Sequence, residues 1–307
     1  MTLDALIVGG SHAGLSAAMA LGRLRRKAVV IDDALPRNRF SSHANNLAGL
    51  DGIDPNEWRL KAISDLVRYP TIEFKADRVT KIHPENSGFR AHLESGTSLF
   101  SRKIILACGI KDILPDIPGF SELWGKGVYH CPYCHGFEVQ DRTLAVLGDE
   151  AYLKHMVPML PGLSNRVIAF SNGANVSSET REIFQSASIR IYSEPVERLI
   201  HDGDDLSSVA LTGGQVVLVD ALFYGKLAPI TMSSDLPNQL GCSTDEMGRL
   251  ITNPMAETSV SGVFAAGDIA SMQQSVAGAL ASGQMAGSGA VHQLLHEDFK
   301  LLTAAVP

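Results

Sequence analysis

The residues best suited to chemistry are His130-Cys131-Pro132-Tyr133-Cys134-His135. Two thiols separated by two residues can close a small disulfide ring and reopen it; a proline holds the turn, and adjacent groups tune the thiolates. The same spacing supplies half of a tetrahedral zinc site, which needs further donors at suitable spacing. The chain has no second Cys-x-x-Cys, and His130 and His135 are immediate neighbours that rarely wrap one ion. Zinc stays as the alternative, while the pattern points to a redox pair with no resident metal. Cys108 and Cys242 stand alone and read as small buried hydrophobes.

A second chemical signal is Gly9-Gly10-Ser11-His12-Ala13-Gly14, with Asp32 after Ile31. A dinucleotide turn needs glycine to bend tightly, glycine to admit the pyrophosphate and glycine to pack helix on strand, with an acid about 20 residues further on. The first and third glycines are present, and Ser11 stands at the middle position, where its hydroxyl can serve a phosphate. Gly267-Asp268 is a further turn, at the end of the apolar run Val263 to Ala266.

These residues need elements to hold them. Ala5-Leu6-Ile7-Val8 reads as a buried strand, 13–25 as a helix, and Ala28-Val29-Val30-Ile31 as a parallel neighbouring strand. A second such unit begins at Leu144-Ala145-Val146-Leu147-Gly148, continues as a helix over 151–160 and returns as Val167-Ile168-Ala169-Phe170. Between them, Lys103 to Leu106 is a strand closing in Ala107-Cys108-Gly109, and the proline-rich 114–119 reads as a linker. Val263 to Ala265 is another strand, and the helix after it carries Ala279, Gly283 and Gly287 at four-residue spacing, a sign of close approach to a helix or a ligand. The expected fold class is α/β: two Rossmann-like three-layer domains.

A net charge of -7 leaves no basic field for nucleic acid, and 45% hydrophobic with 19% charged residues is a globular balance. No apolar run reaches the roughly 18 residues of a membrane span. The four cysteines do not form a disulfide scaffold, and with no leader-like start the expected location is the cytoplasm.

In this order, the glycine turn, the Ala107-Cys108-Gly109 turn, the Cys-x-x-Cys, the second dinucleotide unit and Gly262 to Asp268 resemble the low-molecular-weight thioredoxin reductases over essentially the whole chain. The resemblance implies a discontinuous FAD-binding domain, 1–113 and 243–307, with an inserted nicotinamide-type domain, 114–242, carrying the dithiol. It implies that Gly9, Ser11, Ala13, Gly14, Asp32, Asp33, Arg39, Asn46, Val79, Ala107, Gly109, Gly267 and Asp268 line FAD. Gln274, Ser275 and Val276 would reach the flavin ring. It makes Cys131 and Cys134 catalytic, with Cys134 towards the flavin and Cys131 towards a thioredoxin-like protein or small dithiol, in a homodimer.

Two departures stand out. His135 replaces the acid that usually follows the second cysteine, and an imidazole with an ordinary pKa near 6.5 can take over its proton transfer. The second unit reads Gly148-Asp149-Glu150-Ala151-Tyr152-Leu153 where a pyrophosphate turn should be, and no arginines follow Phe170 in Ser171-Asn172-Gly173. The NADPH site is therefore expected to be lost, which leaves ferredoxin, oxygen or a second flavin as electron partner. The motif is also similar to that of the dithiol oxidases of sulfur-containing natural products. A flavin-binding redox sensor without turnover is the remaining alternative.

Overall fold

The computed structural model describes residues 2–304, and the chain divides into two compact units. One holds 1–39, 56–112 and 229–307, of which 1 and 305–307 lie outside the described residues; the other holds 40–55 and 113–228.

The first unit is built on the parallel strands Ile72–Ala76, Ala28–Asp32, Leu3–Val8 and Ser98–Leu106, in that order. Val263–Ala265 pairs with Ser98–Leu106 in parallel, and Gly88–Leu93 and Val79–Glu85 extend the sheet antiparallel. Leu6, Ile7, Val30, Ile104 and Ile105 are fully enclosed, as expected of strands covered on both faces. Val8 pairs with both Ile31 and Leu106, so Gly9, Asp32 and Ala107 emerge together at the carboxyl edge. Helices His12–Arg23 and Val276–Ala304 pack so closely that a Cβ on Gly283 would stand 2.1 Å from the carbonyl oxygen of Ala13, and one on Gly287 2.6 Å from that of Ala17. The small-residue spacing thus serves contact between helices.

Residues 229–242, which the sequence division assigns to the inserted domain, lie in this first unit. Met232 pairs with Ile110, and Leu236, Leu240 and Cys242 join its core, because their apolar side chains pack beside Ile82 and Leu250.

The second unit has a fully parallel sheet in the order Arg190–Tyr192, Val167–Phe170, Leu144–Leu147, Ala221–Tyr224, Val128–Tyr129. A three-stranded antiparallel sheet, Val196–Asp202, Asp205–Leu211 and Val216–Leu218, completes it. The strand order reverses between Leu144–Leu147 and Ala221–Tyr224, and a crevice at such a switch point is where doubly wound sheets bind ligands. Gly148 and Gly225 follow those two strands directly.

Candidate active site

In the first unit the glycine turn is enforced by close approach. Gly9 has φ +103°, and a Cβ there would stand 2.3 Å from the Ala107 carbonyl oxygen; a Cβ on Gly14 would meet the Gly9 oxygen at 1.8 Å. Ser11 is the N-cap of helix His12–Arg23, its side chain makes no capping bond, and the first turn holds no acid. The helix therefore presents amide groups and a positive dipole end that no carboxylate of its own neutralises, an arrangement suited to a phosphate. Gly267, at φ +80°, has Ala13 against it, with 3.2 Å between a built Cβ and the Ala13 Cβ.

Asp32 accepts from the Gly10 amide at 2.8 Å and from Arg59, which also donates to the Gly10 carbonyl at 3.0 Å. Asp268 pairs with Arg37 at 3.0 Å; Arg37 also donates to Gln274 at 2.7 Å and forms a forked pair with Asp112. Burial raises the Asp268 carboxyl above its usual pKa, against the pull of Arg37. Burial lowers the Arg37 pKa, but Asp112 and then Asp268 more than restore it. Arg37 and Arg59 were not anticipated; each sits among surface-type residues, and only the fold shows what it grips.

The other expected cofactor residues are less closely tied. Ser275 accepts from the Gly278 amide at 3.1 Å, and Val276 begins the long helix. Gly109 turns with φ +69°, Asp33 pairs with Arg78 at 3.0 Å, Val79 is a core residue, and Arg39 is exposed and donates to the Pro36 carbonyl. Asn46 belongs to the second unit, where its amide donates to Asp51 at 2.6 Å.

The dithiol also lies in the second unit. Cys131 is the N-cap of the short helix Pro132–His135, and the amides of Cys134 and His135 both donate to its carbonyl at 3.2 Å. Both thiols are partly buried, and one ring nitrogen of His130 and the two sulfurs all lie within 4.8 Å of one another. Asn45, rather than its neighbour Asn46, reaches this turn and donates to the Cys134 carbonyl at 2.8 Å. Tyr133 and Phe137, 75% and 70% exposed, put apolar rings on the surface beside the pair.

His135 turns away from the sulfur–imidazole cluster. Its ring lies on Tyr129 with centroids 4.5 Å apart, its Nε2 meets the Ser41 hydroxyl at 3.0 Å, and its enclosed Nδ1 has no partner. Burial, reinforced by the nearby His43, lowers its pKa to about 4. The ordinary value assumed from sequence does not hold, because the stack on Tyr129 removes water from the ring, and the imidazole is neutral at pH 7.

The second dinucleotide-type turn is built differently from the first. Asp149 is the N-cap of helix Glu150–Met156 and accepts from the Tyr152 amide at 2.9 Å. Glu150 accepts from the hydroxyls of Ser177 and Thr180, which hold its carboxyl below the usual range. Tyr152 fills the switch point: a Cβ on Gly148 or Gly225 would stand 2.6 Å or 2.7 Å from its ring. The ring is 4% exposed and its hydroxyl has no partner. Arg181 donates to the Val176 carbonyl at 3.3 Å and to Ser193 at 2.8 Å.

Burial pushes the Cys108 thiol up to about 12 and also raises that of Cys242, so neither is a nucleophile at neutral pH. An additional histidine pair, His292 and His296, has its Nε2 atoms 3.0 Å apart on the exposed side of the long helix. Among the described residues no helix is long and apolar enough to cross a membrane.

Residues 3–286 match the family described as pyridine nucleotide-disulphide oxidoreductase. Thioredoxin reductase tcpT of Claviceps purpurea is 34% identical over 95% of this chain and 94% of its own length. Thioredoxin reductase sirT of Leptosphaeria maculans is 33% identical over 96% and 95%. Among solved structures, the oxidoreductase from Agrobacterium tumefaciens is 34% identical, with a TM-score of 0.90, covering 96% of this chain and 99% of that one.

Proposed function

Because the chain belongs to the pyridine nucleotide-disulphide oxidoreductase family and is a FAD-dependent, thioredoxin reductase-like enzyme, we propose that it links FAD to an external dithiol or disulfide through Cys131 and Cys134, without a nicotinamide donor. The contrast between two helix N-termini supports the last part. The one behind Gly9 has no side-chain cap and no acid in its first turn, whereas the one behind Gly148 is capped by Asp149 and carries Glu150.

The first unit fits FAD: Gly9 and Gly14 let the turn close against Ala107 and onto itself, so that the helix N-terminus lies bare, and the amides around Ser11 and Ala13 face no carboxylate of their own turn. Gly9, Ser11, Ala13 and Gly14 would hold the pyrophosphate. Asp32 and Asp268 would hold ribose and ribityl hydroxyls, positioned by Arg59 and Arg37. Asp33, Arg39, Asn46, Val79, Ala107, Gly109, Gln274, Ser275 and Val276 complete the assignment by family resemblance. Bound FAD supplies a two-electron carrier.

The cysteines carry the exchange. In the reducing direction the Cys131 thiolate attacks a disulfide sulfur of the partner and displaces one partner thiolate; Cys134 then attacks Cys131, releasing the partner as a dithiol and leaving the pair as a disulfide. In the oxidising direction a partner dithiol runs the same steps in reverse. His135, the proton carrier assigned from its place after Cys134, is neutral and would act only once its ring leaves Tyr129 and Ser41. A thioredoxin-like protein or a small dithiol is the partner, and Tyr133 and Phe137 favour one with an apolar face.

A filled nucleotide crevice beside an intact dithiol also favours a second reading, the oxidase direction. There one substrate dithiol gives two electrons and two protons to oxygen, forming a disulfide and hydrogen peroxide. Anaerobic mixing tests both. Bleaching of the flavin by dithiols or reduced ferredoxin, and none by micromolar NADPH or NADH, is expected. Rapid bleaching by NADPH would overturn the proposal, and failure of every dithiol to bleach the flavin would leave a redox sensor. One oxygen consumed per dithiol in air distinguishes the oxidase.

A further inference from the structure

The redox steps need two sulfurs and a proton carrier, yet the structure sets a third soft donor beside the sulfurs. His130 offers a ring nitrogen within 4.8 Å of both thiols, while His135 is held apart from this cluster by Ser41 and Tyr129. In a tetrahedral zinc site, with Zn–S of about 2.3 Å and Zn–N of about 2.0 Å, donor atoms lie roughly 3.5 to 3.8 Å apart. The trio is within side-chain adjustment of that spacing. Three protein donors with an open fourth position resemble a reactive metal site more than a closed structural one.

We propose that the reduced protein binds one thiophilic divalent cation, zinc or a close equivalent, through Cys131, Cys134 and His130, and that binding blocks thiol–disulfide exchange. The ion takes two thiolates and a neutral imidazole, so binding to two protonated thiols and a neutral imidazole releases two protons and moves no electrons. Oxidation removes both thiolates and therefore the site. Zinc would thus hold the pair reduced and silent until a chelator or a tighter site withdrew it. Residues 128–135 make this possible because strand Val128–Tyr129 delivers His130 to the N-terminus of the helix that Cys131 caps and that contains Cys134.

The test uses the full FAD-loaded chain, reduced anaerobically with a phosphine that binds zinc weakly, and titrated with zinc against a chromophoric chelator. One zinc per chain is expected at about micromolar affinity or tighter. The disulfide form should bind none at this site, and EDTA should restore exchange after zinc has stopped it. His130→Ala should weaken binding at least about 10-fold, the smallest cost of losing even an outer partner of a metal site. His130→Cys should retain binding, and His135→Ala should leave the affinity unchanged, which separates loss of a ligand from loss of folding. Equal affinity in wild type and His130→Ala, equal binding to the oxidised form, or no binding at all would overturn the proposal. Zinc binding by reduced thiols does not depend on electron transfer, so the proposed function could fail without this inference failing.

Discussion

His12 lies flat against Trp58, with ring centroids 4.1 Å apart and 29° between the planes. The histidine is 6% exposed, its Nε2 has no partner, and burial lowers its pKa to about 4 from 6.5. In the unfolded chain the ring takes a proton near pH 6.5; in the folded chain it does so only near 4. The neutral ring's contribution is therefore full above pH 6.5 and is lost as pH falls through the window down to 4, below which it is constant. His12→Phe keeps a ring against Trp58 but removes the titration. Denaturant unfolding between pH 7 and 4 should show a slope shallower than wild type by up to about 1.4 kcal/mol per pH unit. Parallel curves for the two proteins would mean that His12 titrates normally.

Asp268 and Arg37 are joined at 3.0 Å, and Arg37 has Asp112 as its other carboxylate. Asp268→Ala should purify with well under half the wild-type flavin and lose on the order of 2 kcal/mol of stability, because a partly buried arginine keeps one carboxylate of two. Flavin content by absorbance and urea unfolding of the apoprotein measure the two effects separately. Undiminished flavin with an unchanged spectrum removes Asp268 from the cofactor site.

Cys131→Ser and Cys134→Ser should each abolish disulfide exchange, by at least about 1,000-fold, since one thiol cannot cycle between dithiol and disulfide. Both proteins should stay yellow. The family assignment predicts long-wavelength absorption only in Cys131→Ser, where Cys134 remains as the thiolate nearest the flavin. The band in Cys134→Ser alone reverses the two roles.

Tyr152, Asp149 and Glu150 give the clearest test of the proposed loss of the nicotinamide site. A single unpaired carboxylate near a phosphate costs about 1 to 4 kcal/mol, roughly a tenfold to thousandfold loss of affinity. Replacing both acids, Asp149→Gly with Glu150→Ser, should raise NADPH affinity by at least tenfold, while removing the Asp149 cap costs about 1 kcal/mol of stability. Adding Tyr152→Ala should raise the affinity again by emptying the space between Gly148 and Gly225, at a stability cost of about 3 to 5 kcal/mol. Equilibrium dialysis with NADPH gives the result; triple-variant affinity no better than wild type would show that these side chains do not exclude the nucleotide.

Much of this was legible in the chain because the signals are local. Gly9 to Gly14, the apolar runs before and after it, and the Cys131 to Cys134 spacing each lie within a few residues, and turn geometry and strand burial depend on such short patterns. The acids at 149 and 150 also announced themselves by standing where a phosphate turn should be. The partners of these residues were not legible. Arg37 grips Asp268 across 231 positions, Glu150 meets Ser177 across 27, and Ser41 meets His135 across 94. Nothing local distinguishes Arg37, Ser177 or Ser41 from ordinary surface polar groups. The protonation of His135 followed the same rule: its sequence neighbours suggested an ordinary imidazole, and only the stack on Tyr129 showed a dry one. Residue type and short spacing determine what chemistry is available; desolvation and long-range pairing, which exist only once the chain has folded, decide the charge each group carries and which space stays open.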